Sequence, residues 1–184
     1  ELFLLVIAGE FNSGKSSFIN ALLGERVVAE GVTPTTDRIT LLRHGDEPSE
    51  RTVEEFLVER RFPAELLRTI AVVDTPGTNA IIRRHEELTR DFIPRSDLVM
   101  FITSADRPFT ESERGFLSMI REWGKKIVIV LNKVDLLETE EEREQVIGFV
   151  RENARDLFGF APEVFPVSAR LAQRARADGN EELW

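Results

Sequence analysis

The chain has no cysteine. That excludes a disulfide, a thiolate metal site and a cysteine nucleophile, and it fits a reducing compartment. A long hydrophobic run is missing too. The longest uninterrupted apolar stretch, residues 2–8, is far short of the roughly 20 residues that cross a bilayer. No basic segment precedes it, so it does not read as a signal peptide. Positive charge is in deficit, with 24 Lys and Arg against 33 Asp and Glu and a formal charge of -9. This argues against a protein that holds nucleic acid through its general surface field. It does not argue against one that holds a nucleotide in a local nest of donors. The two histidines, His44 and His85, fall outside every motif and are expected at the surface. Internal repeats and low-complexity tracts are absent. There is no initiator methionine, and the last residues, Glu181-Glu182-Leu183-Trp184, carry no turn or cap. The expectation is one domain, residues 1–184, taken from a longer protein, with a hydrophobic fraction of 42% that suffices for a full core.

What is present is organised around Gly9-Glu10-Phe11-Asn12-Ser13-Gly14-Lys15-Ser16. An apolar run precedes it and an amphipathic run follows at residues 18–23, which is strand, glycine loop and helix with the GxxxxGK[ST] spacing of a P-loop. Gly9 and Gly14 let the backbone curl so that the N–H groups of Asn12, Ser13 and their neighbours point at phosphate oxygens. The helix that follows, opening with Ser16 and Ser17, aims the positive end of its dipole at the same anion. Lys15 reaches the β- and γ-phosphates as a point charge, and the Ser16 hydroxyl is placed to ligate Mg²⁺.

Apolar runs alternate with helical patterns along the rest of the chain, which predicts an α/β fold: a mostly parallel sheet with helices on both faces. Strands are expected at residues 2–8, 38–43, 69–73, 97–103, 127–131 and 163–167. Helices are expected at 14–23, ended by Gly24, and at 81–93, stopped by Pro94. Others are expected at 110–123, capped by Thr110 with Glu113 in the capping-box position, at 138–158 and at 168–177. The long helix buries Val146, Val150, Ala154 and Leu157 and starts with a solvated acidic run. Residues 44–49 read as a turn. Residues 52–67 are the least legible, with a short helix around 53–58. Phe109, Phe116 and Trp123 sit at helical spacing and read as core or interface packing.

Four further stretches stand at expected strand ends, where open α/β sheets bind ligands. Asp74-Thr75-Pro76-Gly77 offers a carboxylate that can hold Mg²⁺ through water and, at Gly77, an N–H for the γ-phosphate. Thr35 and Thr36 lie in the loop after the first helix, and either can close on Mg²⁺ and γ-phosphate. Asn132-Lys133-Val134-Asp135 follows an apolar strand. The Asp135 carboxylate can accept from the N1–H and exocyclic amine of guanine, a pair of donors that adenine lacks. Asn132 can tie this loop to the P-loop, and the Lys133 stem can cover the base. Ser168-Ala169 can present a backbone N–H to guanine O6.

GxxxxGKS, Thr, DTPG, NKxD and SA, in this order and spacing, resemble the five motifs of a P-loop (Ras-like) GTPase domain. The finer pattern is similar to the dynamin superfamily, and to bacterial dynamin-like proteins most closely. It is carried by residues 9–23 (GEFNSGKSSFINALL), 32–36 (VTPTT), 74–80 (DTPGTNA) and 96–113 (SDLVMFITSADRPFTESE). The resemblance implies a GTP- and GDP-binding, Mg²⁺-dependent GTPase whose heads form a homodimer across the nucleotide. It also implies that parts outside this segment bind membrane, that the protein is cytoplasmic or peripheral at a membrane, and that nucleic acid is not a partner. The superfamily's motif favours Thr36 as the switch threonine, with Thr35 the alternative. Asp106 and Arg107 fall in the loop that crosses such a dimer. Eukaryotic dynamins carry a water-orienting glutamine in the P-loop. Phe11 and, after DTPG, Thr78 stand where one would be needed, so no side-chain general base is expected. Asn12 resembles the P-loop asparagine of K⁺-activated GTPases. Two other readings are an RNA- or ribosome-associated assembly GTPase and a nucleotide-binding scaffold with negligible hydrolysis.

Overall fold

The computed structural model describes residues 2–30, 38–76 and 91–179. Eight strands form one sheet in the order β3-β4-β2-β5-β1-β6-β7-β8. They are β1 Phe3–Gly9, β2 Ile39–His44, β3 Ser49–Glu54, β4 Leu57–Phe62, β5 Ile70–Asp74, β6 Leu98–Ser104, β7 Ile127–Asn132 and β8 Glu163–Pro166. The described α-helices are α1 Lys15–Leu23, α2 Glu111–Glu122, α3 Glu140–Phe158 and α4 Ala169–Ala177. β1 lies between β5 and β6, parallel to both, with Val6 paired to Val73 and Val99. Because both faces of this strand are covered, its sequence is continuously apolar rather than alternating. Val6 and Ala8 point into one core with Phe101, Ile129 and Leu131, closed by Phe116, Leu117 and Ile120 of α2 and Val150 and Ala154 of α3. Leu5 and Ile7 point into the other, with Val72, Ile102 and Val130, closed by Ile19 and Leu23 of α1.

The helix ends follow their caps. Thr110 caps α2 and Thr139 caps α3, each in a capping box with the glutamate three residues on. Gly24 ends α1 at φ +75°. Phe109 and Phe116 are buried as core residues, whereas Trp123 is 44% exposed.

Two expectations are corrected. The helix around residues 53–58 is instead the hairpin of β3 and β4, antiparallel with an irregularity between Thr52 and Glu54. Charge pairing replaces apolar alternation there: across the strands Arg60 meets Glu50 at 2.6 Å and Arg51 meets the buried Glu59 at 3.7 Å, while along β4 Arg61 meets Glu59 at 2.9 Å. β3 is exposed along its whole length at the sheet edge, and β8, at the other edge, is four residues ending in Pro166. His44 is half-buried rather than on the surface, with Nε2 enclosed and without a hydrogen-bond partner. The helix expected at residues 81–93 falls, up to residue 90, outside the described residues, and Ile93–Arg95 is a single 3-10 turn around Pro94.

Candidate functional site

The phosphate end is built by β1 and α1. A Cβ at Gly9 would come within 2.2 Å of the Ile102 carbonyl oxygen, and one at Gly14 within 2.4 Å of Asn132 Nδ2, where φ is already +84°. Only glycine fits these two places. Between them Phe11–Ser13 forms a 3-10 turn in which the Glu10 carbonyl accepts the Ser13 N–H at 3.1 Å and the Ser13 hydroxyl at 2.7 Å. No side chain caps the start of α1. Its first N–H groups are therefore left for an anion.

Lys15 is 7% exposed, its Nζ donating to the Gly9 carbonyl at 3.2 Å. Burial lowers its pKa from the ordinary lysine value, and the charge on Asp74 opposes that. Asp74 ends β5, is 2% exposed, and has a buried Oδ1 with no hydrogen-bond partner. Burial raises its carboxyl to about 6, with Lys15 and Arg60 pulling it down. A buried ammonium and a buried carboxylate with one oxygen left unsatisfied are costly alone, and each would gain from a phosphate–cation pair. Among the described residues no cluster of three or more acidic or histidine side chains could hold a metal by itself. Mg²⁺ is held by few protein ligands together with substrate phosphates and water. Ser16 and Asp74 are the donors present. Thr35, Thr36 and Gly77 lie outside the described residues.

The base end is assembled on Asn132, 2% exposed at the end of β7. Its Nδ2 donates to the Ser13 carbonyl at 2.9 Å and its Oδ1 accepts the Ala169 N–H at 3.0 Å. One side chain thus joins the P-loop to the Ser168-Ala169 turn. Of the backbone N–H groups in the Ser168-Ala169 stretch expected to meet guanine O6, that of Ala169 is engaged by Asn132. Lys133 is left-handed at φ +65°. Asp135 Oδ1 accepts the Ser168 hydroxyl, and Oδ2 accepts the Arg170 guanidinium at 2.6 Å. Arg170 was not marked by any motif, and the two donors orient the carboxylate.

Two other departures concern the P-loop neighbourhood. The Ser17 hydroxyl donates to Glu30 at 2.7 Å, and Glu30 also accepts from Asn20 at 2.7 Å and Gln173 at 3.0 Å. Ser17 therefore has only its backbone to offer a nucleotide. Asn12 is exposed in its turn. Glu113 was foreseen as a cap, but not as a buried acid. It is 1% exposed and accepts the Thr103 hydroxyl at 3.0 Å and the Thr110 N–H at 3.1 Å, and burial pushes its carboxyl up to about 7. A carboxyl with a raised pKa binds more protons folded than unfolded, so its contribution to stability falls as pH rises from 4.5 to 7. Between pH 5.5 and 7.5 the nucleotide-free protein is expected to lose roughly 2 kcal/mol to this group. Asp74 adds loss of the same sign. Denaturant melts of wild type and Glu113→Gln at both pH values isolate the Glu113 share, and equal pH slopes in the two proteins would refute it.

The family described as 50S ribosome-binding GTPase matches residues 4–133. The chain is similar to the probable transmembrane GTPase FZO-like, chloroplastic, of Arabidopsis thaliana, at 49% identity over 182 residues, covering 96% of this chain and 20% of that protein. It is also similar to the bacterial dynamin-like protein of Nostoc punctiforme, at 26% identity over 174 residues, covering 73% of this chain and 25% of that one. Among solved structures, the fold matches an oligomerised bacterial dynamin pair described as a mechanism for long-range sensing and tethering of membranes. The TM-score is 0.82 at 21% identity, covering 96% of this chain and 34% of that one. The chain thus spans a fifth to a third of the length of these proteins.

Proposed function

We propose, from the premise that the chain belongs to the 50S ribosome-binding GTPase family, that it is the head of a dynamin-like protein. In this reading it hydrolyses GTP to GDP and phosphate and is activated when two heads meet across the nucleotide. The observation that carries the reading is the buried Asp74 carboxylate, whose Oδ1 has no hydrogen-bond partner among the described residues, in the field of the desolvated Lys15 ammonium. Such a pair is retained where a phosphate–metal group completes it. Gly9, Ser13 and Gly14 shape the backbone cradle. Lys15 holds the β- and γ-phosphates, and Asn132, Lys133, Asp135, Ser168 and Ala169 hold the guanine. Ser16, Asp74 and Thr36 are the residues that would hold Mg²⁺, and Gly77 would meet the γ-phosphate. When bound, the ion neutralises charge on the phosphates. Water attacks the γ-phosphorus in line, the bond to the β–γ bridging oxygen breaks, and the water protons end on phosphate and solvent. Phe11 stands where eukaryotic dynamins carry a water-orienting glutamine and cannot take a proton from that water, which suits a reaction governed by positioning and charge.

Among the described residues no helix is long and apolar enough to cross a membrane. Membrane action, and a place in the cytoplasm or at a membrane's surface, are therefore assigned to parts outside this segment. The FZO-like and dynamin-like relatives support that assignment. The net charge of -9 weighs against the RNA-associated alternative.

A charge supplied beside the γ-phosphate is worth about 10³–10⁵ in rate in other GTPases. Asn12, with carbonyls from residues 30–33, is our candidate to supply it by caging K⁺. The dimer, through Asp106 and Arg107, is what would complete the cage. The test is phosphate release at fixed ionic strength in K⁺, Na⁺ and Li⁺, over a range of protein concentrations. K⁺ is expected to raise turnover, specific activity is expected to climb with concentration, and Asn12→Ala is expected to abolish the cation effect while leaving GDP affinity nearly intact. Equal rates in the three salts would dispose of the cage. Negligible release throughout would leave the scaffold reading.

A further inference from the structure

Glu10 belongs to the P-loop, yet phosphate binding has no use for its carboxylate. Its carbonyl closes the turn on Ser13. The carboxylate leaves in another direction: Oε1 accepts the Thr110 hydroxyl at 2.6 Å and also the Ser112 hydroxyl. These partners lie 100 and 102 residues away in sequence. Thr110 is the cap of α2, and the buried Glu113 locks that cap by accepting the Thr110 N–H and the Thr103 hydroxyl. The connection between β6 and α2, residues 105–110, is thereby fastened to the phosphate loop at one end. At its other end it is fastened to the guanine side. The Ala105 N–H donates to the Asn132 carbonyl at 2.8 Å, Ser104 donates to Asp106, and Asp106 lies in the field of Lys133. Between the two anchors Phe109 is held at φ +58°, an uncommon and costly conformation for an aromatic residue, with the Arg114 guanidinium 5.6 Å above its ring. A short segment held at both ends and strained between them moves as one piece.

We infer that Glu10 is a positioning residue whose carboxylate couples occupation of the P-loop to residues 105–110, and so to the face that carries Asp106 and Arg107. Phosphates fix the backbone of residues 9–14 through its N–H groups. The Glu10 side chain is carried by that backbone and takes the Thr110 and Ser112 hydroxyls with it. By linkage, a contact that fixes residues 105–110 favours the same P-loop backbone and tightens the nucleotide in equal measure. The partner that makes such a contact is a second copy of this chain. That last step rests on the dimer reading above, whereas the coupling does not.

The test is amide hydrogen exchange over residues 105–112, with and without saturating GDP and Mg²⁺. In the wild type GDP is expected to slow exchange there about tenfold, the range that one or two charge-assisted bonds supply. In Glu10→Ala the ratio should fall below about twofold, with an intermediate ratio in Ser112→Ala, an exposed position that threatens no packing. The double variant should fall no further than Glu10→Ala. Glu10→Gln keeps an acceptor and should retain most of the effect. A residue of merely structural value would change exchange equally with and without GDP and leave the ratio untouched. A wild-type ratio in GDP-saturated Glu10→Ala, or no slowing by GDP in the wild type, overturns the coupling. Slowing by GDP that vanishes in Glu10→Ala, in a wild type whose specific activity is flat with concentration, upholds the coupling and overturns only the dimer.

Discussion

Lys15→Ala is expected to lower the rate of phosphate release at least about 10³-fold, the scale of a single preorganised charge on a transferring phosphoryl group. The structure says why no neighbour compensates. The ammonium is held against the Gly9 carbonyl, out of water, at the mouth of a loop whose glycine positions admit no other side chain. Removing it also takes away the first of the two charges, Lys15 and Arg60, that hold down the Asp74 pKa. The γ-phosphate would lose the cation that balances it. GTP affinity should therefore suffer more than GDP affinity. Lys15→Arg is not expected to restore the rate, because a planar fork does not occupy the volume of a compact ammonium. Single-turnover hydrolysis at saturating GTP is the measurement, and a rate within tenfold of wild type would remove Lys15 from the phosphate site.

The second large effect belongs to the base. Asp135→Asn turns an acceptor pair into one acceptor and one donor, which mismatches guanine and matches xanthine. Two hydrogen bonds to a charged group are worth about 1.5–3 kcal/mol each, so preference for GTP over XTP should shift by about 10³-fold or more toward XTP. The fold should survive. The ion pair lost with Arg170 has a guanidinium that is 73% exposed, and such a pair contributes little to stability. The Ser168 hydroxyl can still donate to the amide oxygen. Competition binding with GDP and XDP decides it, and a variant that still prefers GDP would mean that Asp135 does not read the base.

Both predictions rest on residues that were legible in the sequence, because each stands in a short motif whose chemistry is local. The strands β1, β5, β6 and β7 were legible for a different reason: both their faces are buried, and continuous apolar runs result. The β3–β4 hairpin was not. Its pairing is carried by Glu50 with Arg60 and Arg51 with Glu59 across the strands, and charges at those positions look like a polar loop until their partners are known. Glu10 was missed in the same way. Within its motif it occupies a variable position, and only the folded chain brings Thr110 and Ser112 to it. The engagement of Ser17 by Glu30 and of the Ala169 N–H by Asn132 likewise depends on contacts that no linear spacing encodes.

The two sheet edges have a bearing on crowding. A domain that meets copies of itself does so at high local concentration, where an open edge strand invites another strand to add and the pairing to continue without limit. Here one outer strand, β3, is wholly exposed and carries Glu50, Arg51 and Glu54, while the other, β8, is short and ends in Pro166, which offers no N–H. Strand addition is disfavoured at both ends. In the dimer proposed above, encounters between heads are therefore left to loops and helices, which make contacts of finite extent that can be undone.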